Sequence, residues 1–172
     1  MIDKLTLAAI ELLKHLISKQ SFSGEENETA ILIKNWFARY DIKFESDRHN
    51  VWAKNKYFDA SKKTVLLNSH HDTVKPNKGY TRDPLSPDVE DGKLYGLGSN
   101  DAGGCLVSLI ATFTYFYNRK NLAYNLVIVA SAEEENSGEY GLNSMLNIIP
   151  EIDFAIIGEP TLMQLAISEK GL

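Results

Sequence analysis

A histidine and an aspartate separated by one residue are the strongest sign of chemistry in this sequence. His70 and Asp72 follow the apolar run at 65–67, which predicts a buried strand of a parallel sheet. Because side chains alternate along a strand, His70 and Asp72 point to one side and His71 to the other. Asp72 can then accept the ring N–H that His70 does not use on a metal. The pattern predicts a metal ligand with a supporting carboxylate; the alternative is a surface turn with two solvated histidines.

Carboxylates recur at comparable positions along the chain. Asp101 lies in the glycine-rich stretch 96–104, where it replaces the third glycine that a dinucleotide-binding turn needs. Three glutamates at 133–135 follow the apolar run at 126–129, although they could also form the solvated start of a helix. Glu159 follows the apolar run at 154–157, and Pro160 restricts it to an extended conformation.

These positions predict one shared site. Parallel sheets bind ligands in the crevice beyond the carboxyl ends of their strands, where the ends of neighbouring strands meet. Carboxylates combined with imidazole suit zinc, cobalt or manganese. We therefore expect a metal site formed by His70, Asp101, Glu135 or one of its neighbours, and Glu159.

The elements that must position these residues alternate between helix and strand patterns. Helices are predicted at 3–18, from a capping box at 23–26 to about Tyr40, at 103–117 and at 142–148. Strand patterns occupy 41–58 and the three apolar runs, and Met163, Leu165 and Ile167 alternate in a last strand. Residues 75–97 contain many prolines and glycines and predict a long irregular loop. The alternation predicts an α/β fold of three layers, with a mostly parallel sheet flanked by helices.

Composition narrows the class of protein. The chain has 172 residues, 44% of them hydrophobic, which is enough for one domain with a real core. A net charge of -5 without a basic run argues against a nucleic-acid partner. Cys105 is the only cysteine, so neither an internal disulfide nor a cysteine-based zinc site can form. Charged residues interrupt the first apolar stretch and no uncharged run is long enough to span a membrane, so we expect a cytoplasmic protein.

Four segments together resemble a known family. They read S-H-H-D-T-V, G-L-G-S-N-D-A-G-G, A-E-E-E and I-G-E-P-T, and they cover nearly the whole chain. Their order and spacing are similar to those of the acetylornithine deacetylase and succinyl-diaminopimelate desuccinylase family of two-metal amidohydrolases. This family is related to zinc aminoacylases and carboxypeptidases, so the resemblance implies a zinc-exopeptidase-like catalytic domain.

The resemblance also implies a role for each candidate residue. His70 and Glu159 would bind one metal, Asp101 would bridge two, Glu135 would bind the second, Glu134 would be the general base and Asp72 would orient His70. It further implies two divalent ions, with zinc favoured over cobalt or manganese, and a cis peptide between Asp101 and Ala102. The family usually has Asp-Glu-Glu where this chain has three glutamates, so the register at 133–135 could differ by one residue.

The implied reaction is removal of an acyl group from an N-acyl amino acid, with N-acetylornithine of arginine biosynthesis as the favoured substrate. Succinyl-diaminopimelate and dipeptides are alternatives within the class, and a non-catalytic metal-binding module is the alternative outside it. Family members are about twice as long, with a lid and dimerisation domain inserted near Leu172 and a last metal-binding histidine beyond it. We therefore expect residues 1–172 to be the N-terminal part of an incomplete catalytic domain, inactive alone, from an enzyme that is a homodimer at full length.

Overall fold

The computed structural model describes residues 2–162, which form four helices and a mixed sheet with a separate hairpin. The helices are α1 (Ile2–Ile17), α2 (Asn27–Arg39), α3 (Gly104–Phe116) and α4 (Leu142–Met145). The strands are β1 (Glu45–Asp47), β2 (Asn50–Lys54), β3 (Thr64–His70), β4 (Val89–Glu90), β5 (Lys93–Leu94), β6 (Asn125–Ser131) and β7 (Phe154–Ile157). No helix in this part of the chain has the length and apolar character that crossing a membrane requires.

The central sheet has five strands in the order β1-β2-β6-β3-β7. Strand β3 lies parallel to both β6 and β7, whereas β1 and β2 form an antiparallel edge that joins β6. Pairing of His70 with Ser131 brings the carboxyl ends of β3 and β6 to the same level. The predicted gathering of strand ends at one edge of the sheet is therefore present.

Apolar side chains cover both faces of the sheet. On one face, Val51, Leu67 and Ile128 pack in a core with the buried sides of α1, α2 and α3. On the other face, Trp52 and neighbouring strand residues pack against Met145 of α4. The successive residues Val51 and Trp52 enter opposite cores, as the period of two in a strand requires. This arrangement confirms the predicted α/β class and its three layers.

One local expectation is incomplete and another is wrong. The stretch 75–97 contains the hairpin β4–β5, because Asp91 and Gly92 both adopt positive φ in the two-residue turn that joins these strands. The apolar run at 154–157 predicts a buried strand like that at 65–67, but all four residues of β7 are exposed. It lies at the sheet edge of the described residues and pairs only with β3 there. The strand predicted to begin at Met163 lies outside the described residues.

The capping box expected at the start of α2 does not form. The residue that precedes the helix, Glu26, makes no side-chain cap hydrogen bond. Its carboxylate instead accepts the backbone N–H of Gly24, and the Ser23 hydroxyl donates to Asp72, 49 positions later. Two side chains that the local pattern assigns to a helix start therefore bind other parts of the chain.

Asn125 is the first residue of β6 and lies at the opposite end of the sheet from His70. Its substitution therefore tests stability away from the candidate site. Its side chain accepts the backbone N–H of Asp59 at 2.9 Å and donates to the carbonyls of Asp59 and Lys62. We predict that Asn125→Ala lowers the free energy of unfolding by about 1–3 kcal/mol, because the buried Asn125 side chain loses its hydrogen bonds to the loop before β3. Urea unfolding followed by circular dichroism measures the change, with the exposed Asn121→Ala as control. Equal stability of the two variants would contradict this prediction.

Candidate metal centre

The imidazole of His70 is fixed at the end of β3 and is only 1% exposed. Its Nδ1 lies 3.1 Å from the carbonyl oxygen of Asp72 and 3.2 Å from Asp72 Oδ1. Both partners can only accept, so Nδ1 carries a hydrogen and donates it. Nε2 is left facing the opposite side of the ring, which is the arrangement expected of a histidine that binds a metal through Nε2.

Three carboxylates surround Nε2 of His70. The nearest oxygens belong to Asp101 at 3.2 Å, Glu134 at 3.8 Å and Glu159 at 3.9 Å. One potential ligand atom each from His70, Asp101 and Glu159 lie within 4.8 Å of one another. One imidazole nitrogen and two carboxylate oxygens at this spacing fit a small divalent cation such as zinc or manganese.

The electrostatics of these groups fit the same conclusion. Burial lowers the pKa of His70, but the hydrogen bond and charge of Asp72, with the charges of Glu159 and Glu134, raise it to about 9. Burial and the charges of Asp101 and Glu134 raise the pKa of Glu159 to about 7 although His70 opposes the shift. Burial and the charge of Asp101 likewise raise the pKa of Glu135. These carboxylates repel one another, and a bound cation would relieve that repulsion.

A tight turn places Asp101 beside His70. Gly98 has a φ of +73°, and a Cβ there would lie 2.6 Å from the side chain of Thr73, so only glycine fits. The wide turn Ser99–Gly103 follows, and the N–H of Gly103 closes it on the carbonyl of Gly98 at 2.9 Å. The peptide bond between Asp101 and Ala102 is cis, as the family resemblance implied.

Strand β3 also holds the segment that carries Glu159. The N–H of Gly158 donates to the carbonyl of Asn68 at 2.7 Å, and the Ser69 hydroxyl donates to the carbonyl of Gly158 at 2.8 Å. These two bonds attach the residue that follows β7 to β3. Glu159 therefore leaves the sheet next to His70.

Two buried carboxylates hold the loop that follows β6. Its three successive N–H groups donate in order: Glu133 to Glu26 Oε1, Glu134 to Asp72 Oδ1 and Glu135 to Asp72 Oδ2, each at 3.1 Å. Burial raises the pKa of Asp72, but its hydrogen bonds outweigh that effect and hold the pKa below the usual value. The same carboxylate of Asp72 therefore orients the His70 ring and the loop bearing Glu134 and Glu135.

The geometry distinguishes the three glutamates. Glu133 turns back into its own loop, where Oε2 accepts the N–H of Tyr140 at 3.2 Å. Glu134 brings Oε2 to His70, and Glu135 lines a cavity together with Asp101. The register that assigns the site carboxylates to Glu134 and Glu135 is the one these contacts favour.

The neighbouring histidine, His71, faces away from the site. His71 Nδ1 lies 2.8 Å from the hydroxyl of Thr29, and Nε2 lies 3.1 Å from the carbonyl of His49. Burial lowers the pKa of His71 to about 4, so the ring is neutral and donates from Nε2. The predicted alternation of His70 and His71 is therefore present.

Sequence reasoning missed the roles of Ser23 and Glu26, because their partners lie 49 and 107 positions away.

Two cavities open onto the carboxylates. The larger, of about 900 Å³, is lined by Glu134, Glu159 and the loop after β6. The smaller, of about 380 Å³, lies between residues 73–80 and the turn before α3. Asp101 and Glu135 line both cavities. The cluster of acidic side chains around His70 (the acidic cluster: Asp101, Glu134, Glu135 and Glu159) therefore lies where the two cavities meet.

Known proteins of similar sequence include two biosynthetic hydrolases. The chain is 32% identical over 177 residues to the acetylornithine deacetylase of Proteus mirabilis, a match that covers 94% of this chain and 45% of that protein. It is 31% identical over 163 residues to the succinyl-diaminopimelate desuccinylase of Wigglesworthia glossinidia brevipalpis, covering 88% and 42%. The chain thus spans less than half the length of these relatives.

A solved structure shares the fold. A dinuclear metal-binding M20-family peptidase of Bacillus subtilis superimposes with a TM-score of 0.67 at 15% identity, over 90% of this chain and 43% of that one. The sequence model of peptidase family M20/M25/M40 matches residues 66–169, which contain all six candidate site residues. This match includes more than half of the chain, and the chain therefore belongs to peptidase family M20/M25/M40.

Proposed function

We propose that this chain carries the metal-binding centre of an amide hydrolase that removes the acyl group from an N-acyl amino acid. The observation that supports this most is the convergence of Asp101, Glu134 and Glu159 on Nε2 of His70, within 3.9 Å. Membership of a peptidase family supports hydrolysis of an amide or peptide bond.

The proposed centre would hold two divalent ions. His70 and Glu159 would hold the first, Glu135 would hold the second and Asp101 would serve both, with zinc as the proposed metal and cobalt or manganese as alternatives. Support comes from the ligand spacing of His70, Asp101 and Glu159 and from the structural neighbour described as dinuclear. The position of Glu135 beside Asp101 on both cavities supports its assignment to the second ion.

Each remaining residue of the site has a task in the proposed reaction. Two bound cations would polarise the acyl carbonyl and lower the pKa of the attacking water. Glu134 would accept a proton from that water as the water oxygen bonds to the acyl carbon, and would pass it to the leaving nitrogen as the C–N bond breaks, so that the amide gives a carboxylate and an amine. Asp72 keeps the hydrogen of His70 on Nδ1 and thereby leaves Nε2 available as a ligand.

Within the class, we propose N-acetylornithine as substrate and arginine biosynthesis as the pathway. The names of the two relatives support N-acetylornithine and succinyl-diaminopimelate about equally, at 32% and 31% identity, so the desuccinylase reaction is the second candidate. Dipeptide hydrolysis is a further alternative. A non-catalytic metal-binding module would need no carboxylate besides the ligands, and the approach of Glu134 to His70 favours an enzyme instead.

The proposal extends to the whole protein. Residues 1–172 would form the N-terminal part of the catalytic domain, with a lid and dimerisation domain and the rest of the catalytic domain in a longer chain. The coverage of 42–45% of the relatives' length supports this division. The complete enzyme would be a homodimer, as the family resemblance implies, and would be cytoplasmic, as the composition predicts.

The metal assignment predicts that the purified 172-residue chain binds zinc or cobalt and that His70→Ala weakens binding at least tenfold. About tenfold is the smallest loss usual even for a residue that only supports a ligand. Titration calorimetry at constant pH measures the affinity. His15→Ala is the matched control, because His15 is exposed on α1 and is not one of the grouped ligand residues His70, Asp101 and Glu159. Equal affinities for these two variants would show that the cation binds elsewhere.

The assignment of the base predicts that Glu134→Gln reduces hydrolysis by about 10²- to 10⁴-fold, the usual contribution of a general base. The protein carrying this chain is assayed at its natural length with N-acetylornithine, succinyl-diaminopimelate and a dipeptide. Glu139→Gln is the control, since Glu139 is an exposed residue of the same loop. Retained turnover in Glu134→Gln would remove Glu134 as base, and hydrolysis of none of the substrates by the unmodified protein would refute the proposed function.

A further inference from the structure

Glu26 is a carboxylate without exposure to solvent, and it joins three distant parts of the chain. Its Oε1 accepts the N–H of Gly24 at 2.8 Å and the N–H of Glu133 at 3.1 Å. Its Oε2 shares a hydrogen bond with His49 Nδ1 at 2.7 Å. One side chain thus connects the start of α2, the turn between β1 and β2, and the loop after β6.

A simple structural role for Glu26 does not explain this arrangement. Burying a carboxylate is costly unless its oxygens are fully hydrogen-bonded, and a solvent-exposed cap would avoid that cost. The side chain does not cap α2. One of its hydrogen bonds instead goes to Glu133, whose φ of +53° is uncommon for a residue with a side chain. Such a conformation persists when the surrounding structure fixes it.

We propose that Glu26 is a positioning residue for the loop that follows β6 and carries residues 133–135, here called the acidic loop. This proposal rests on the function proposed above for Glu134 and Glu135. Asp72 accepts the N–H groups of these two glutamates, and Glu26 accepts the preceding N–H, that of Glu133. Glu26 thereby fixes the point at which the loop leaves β6. Without Glu26, the Glu133 N–H loses its hydrogen-bond partner. The backbone before Glu134 and Glu135 is then no longer held in place.

The surroundings of Glu26 keep it in place. The hydroxyl of Thr29, three residues beyond Glu26, donates its hydrogen to Nδ1 of His71 at 2.8 Å, because the ring hydrogen of His71 is on Nε2. Neutral His71 donates from Nε2 to the carbonyl of His49, which holds the residue whose ring contacts Glu26. His71 follows the proposed ligand His70 directly, so the same network connects the end of β3 with the acidic loop.

The test measures amide hydrogen exchange in the 172-residue chain by NMR. We expect Glu26→Ala to raise the exchange rates of the Glu133, Glu134 and Glu135 amides at least tenfold above those in Asn125→Ala. Asn125→Ala is the matched control, because it removes an equally buried polar side chain at the other end of the sheet. Glu26→Gln keeps an oxygen that can accept both N–H groups, and it should restore slow exchange. If Glu26→Ala does not fold, Glu26→Asp, which is one methylene too short to make all three contacts, is measured instead.

Kinetics at natural length give a second readout. Misplacement of a catalytic group by about 1 Å can cost about 10²-fold in rate, so Glu26→Ala should lower kcat by about that factor with little change in KM. Glu26→Gln should recover most of kcat, and Asn125→Ala should change neither constant. Exchange rates in Glu26→Ala equal to those of Asn125→Ala would overturn the proposal. An unmodified protein that hydrolyses no substrate would refute the proposed function alone, because the exchange rates decide the positioning role independently.

Discussion

The site depends on the hydrogen bonds that the carboxylate of Asp72 accepts. This carboxylate contacts Nδ1 of His70, accepts the hydroxyl of Ser23 and accepts two successive N–H groups of the acidic loop. Its pKa is held below the usual value, so it remains an acceptor for all of them at neutral pH. A single buried charge therefore sets the ring orientation of one proposed ligand and the path of the segment that bears the proposed base. Loss of either set of contacts would disturb the other.

The fold brings like charges together in a way that favours metal binding. Strands β3, β6 and β7 run parallel, so the residues that follow them meet at one edge of the sheet. Asp101 reaches the same place from the turn before α3. Burial first, and this crowding in addition, raise the pKa values of Glu135 and Glu159. A site that is electrostatically unfavourable without cations is well suited to hold them, because cation binding and relief of repulsion occur together.

The sequence predicts the features that depend on local pattern. Apolar runs followed by polar residues gave β3, β6 and the placement of His70, and the period of two along a strand gave the opposite directions of His70 and His71. The capping-box pattern at 23–26 failed because Glu26 and Ser23 bind segments that are distant in sequence, and no local signal reveals such partners. The exposure of β7 was also missed, since an apolar run does not show how many neighbours its strand has. The Asp91-Gly92 pair was a usable hairpin signal that the abundance of prolines and glycines obscured.

The most direct test of the central claim is a crystal structure of the zinc-loaded protein with anomalous diffraction recorded at the zinc absorption edge. We expect an anomalous peak at about 2.0–2.2 Å from His70 Nε2 and from carboxylate oxygens of Asp101 and Glu159, the usual range for nitrogen and oxygen ligands of zinc. A second peak should lie between Asp101 and Glu135. Zinc bound away from His70, with no peak between His70 Nε2, Asp101 and Glu159, would contradict the account.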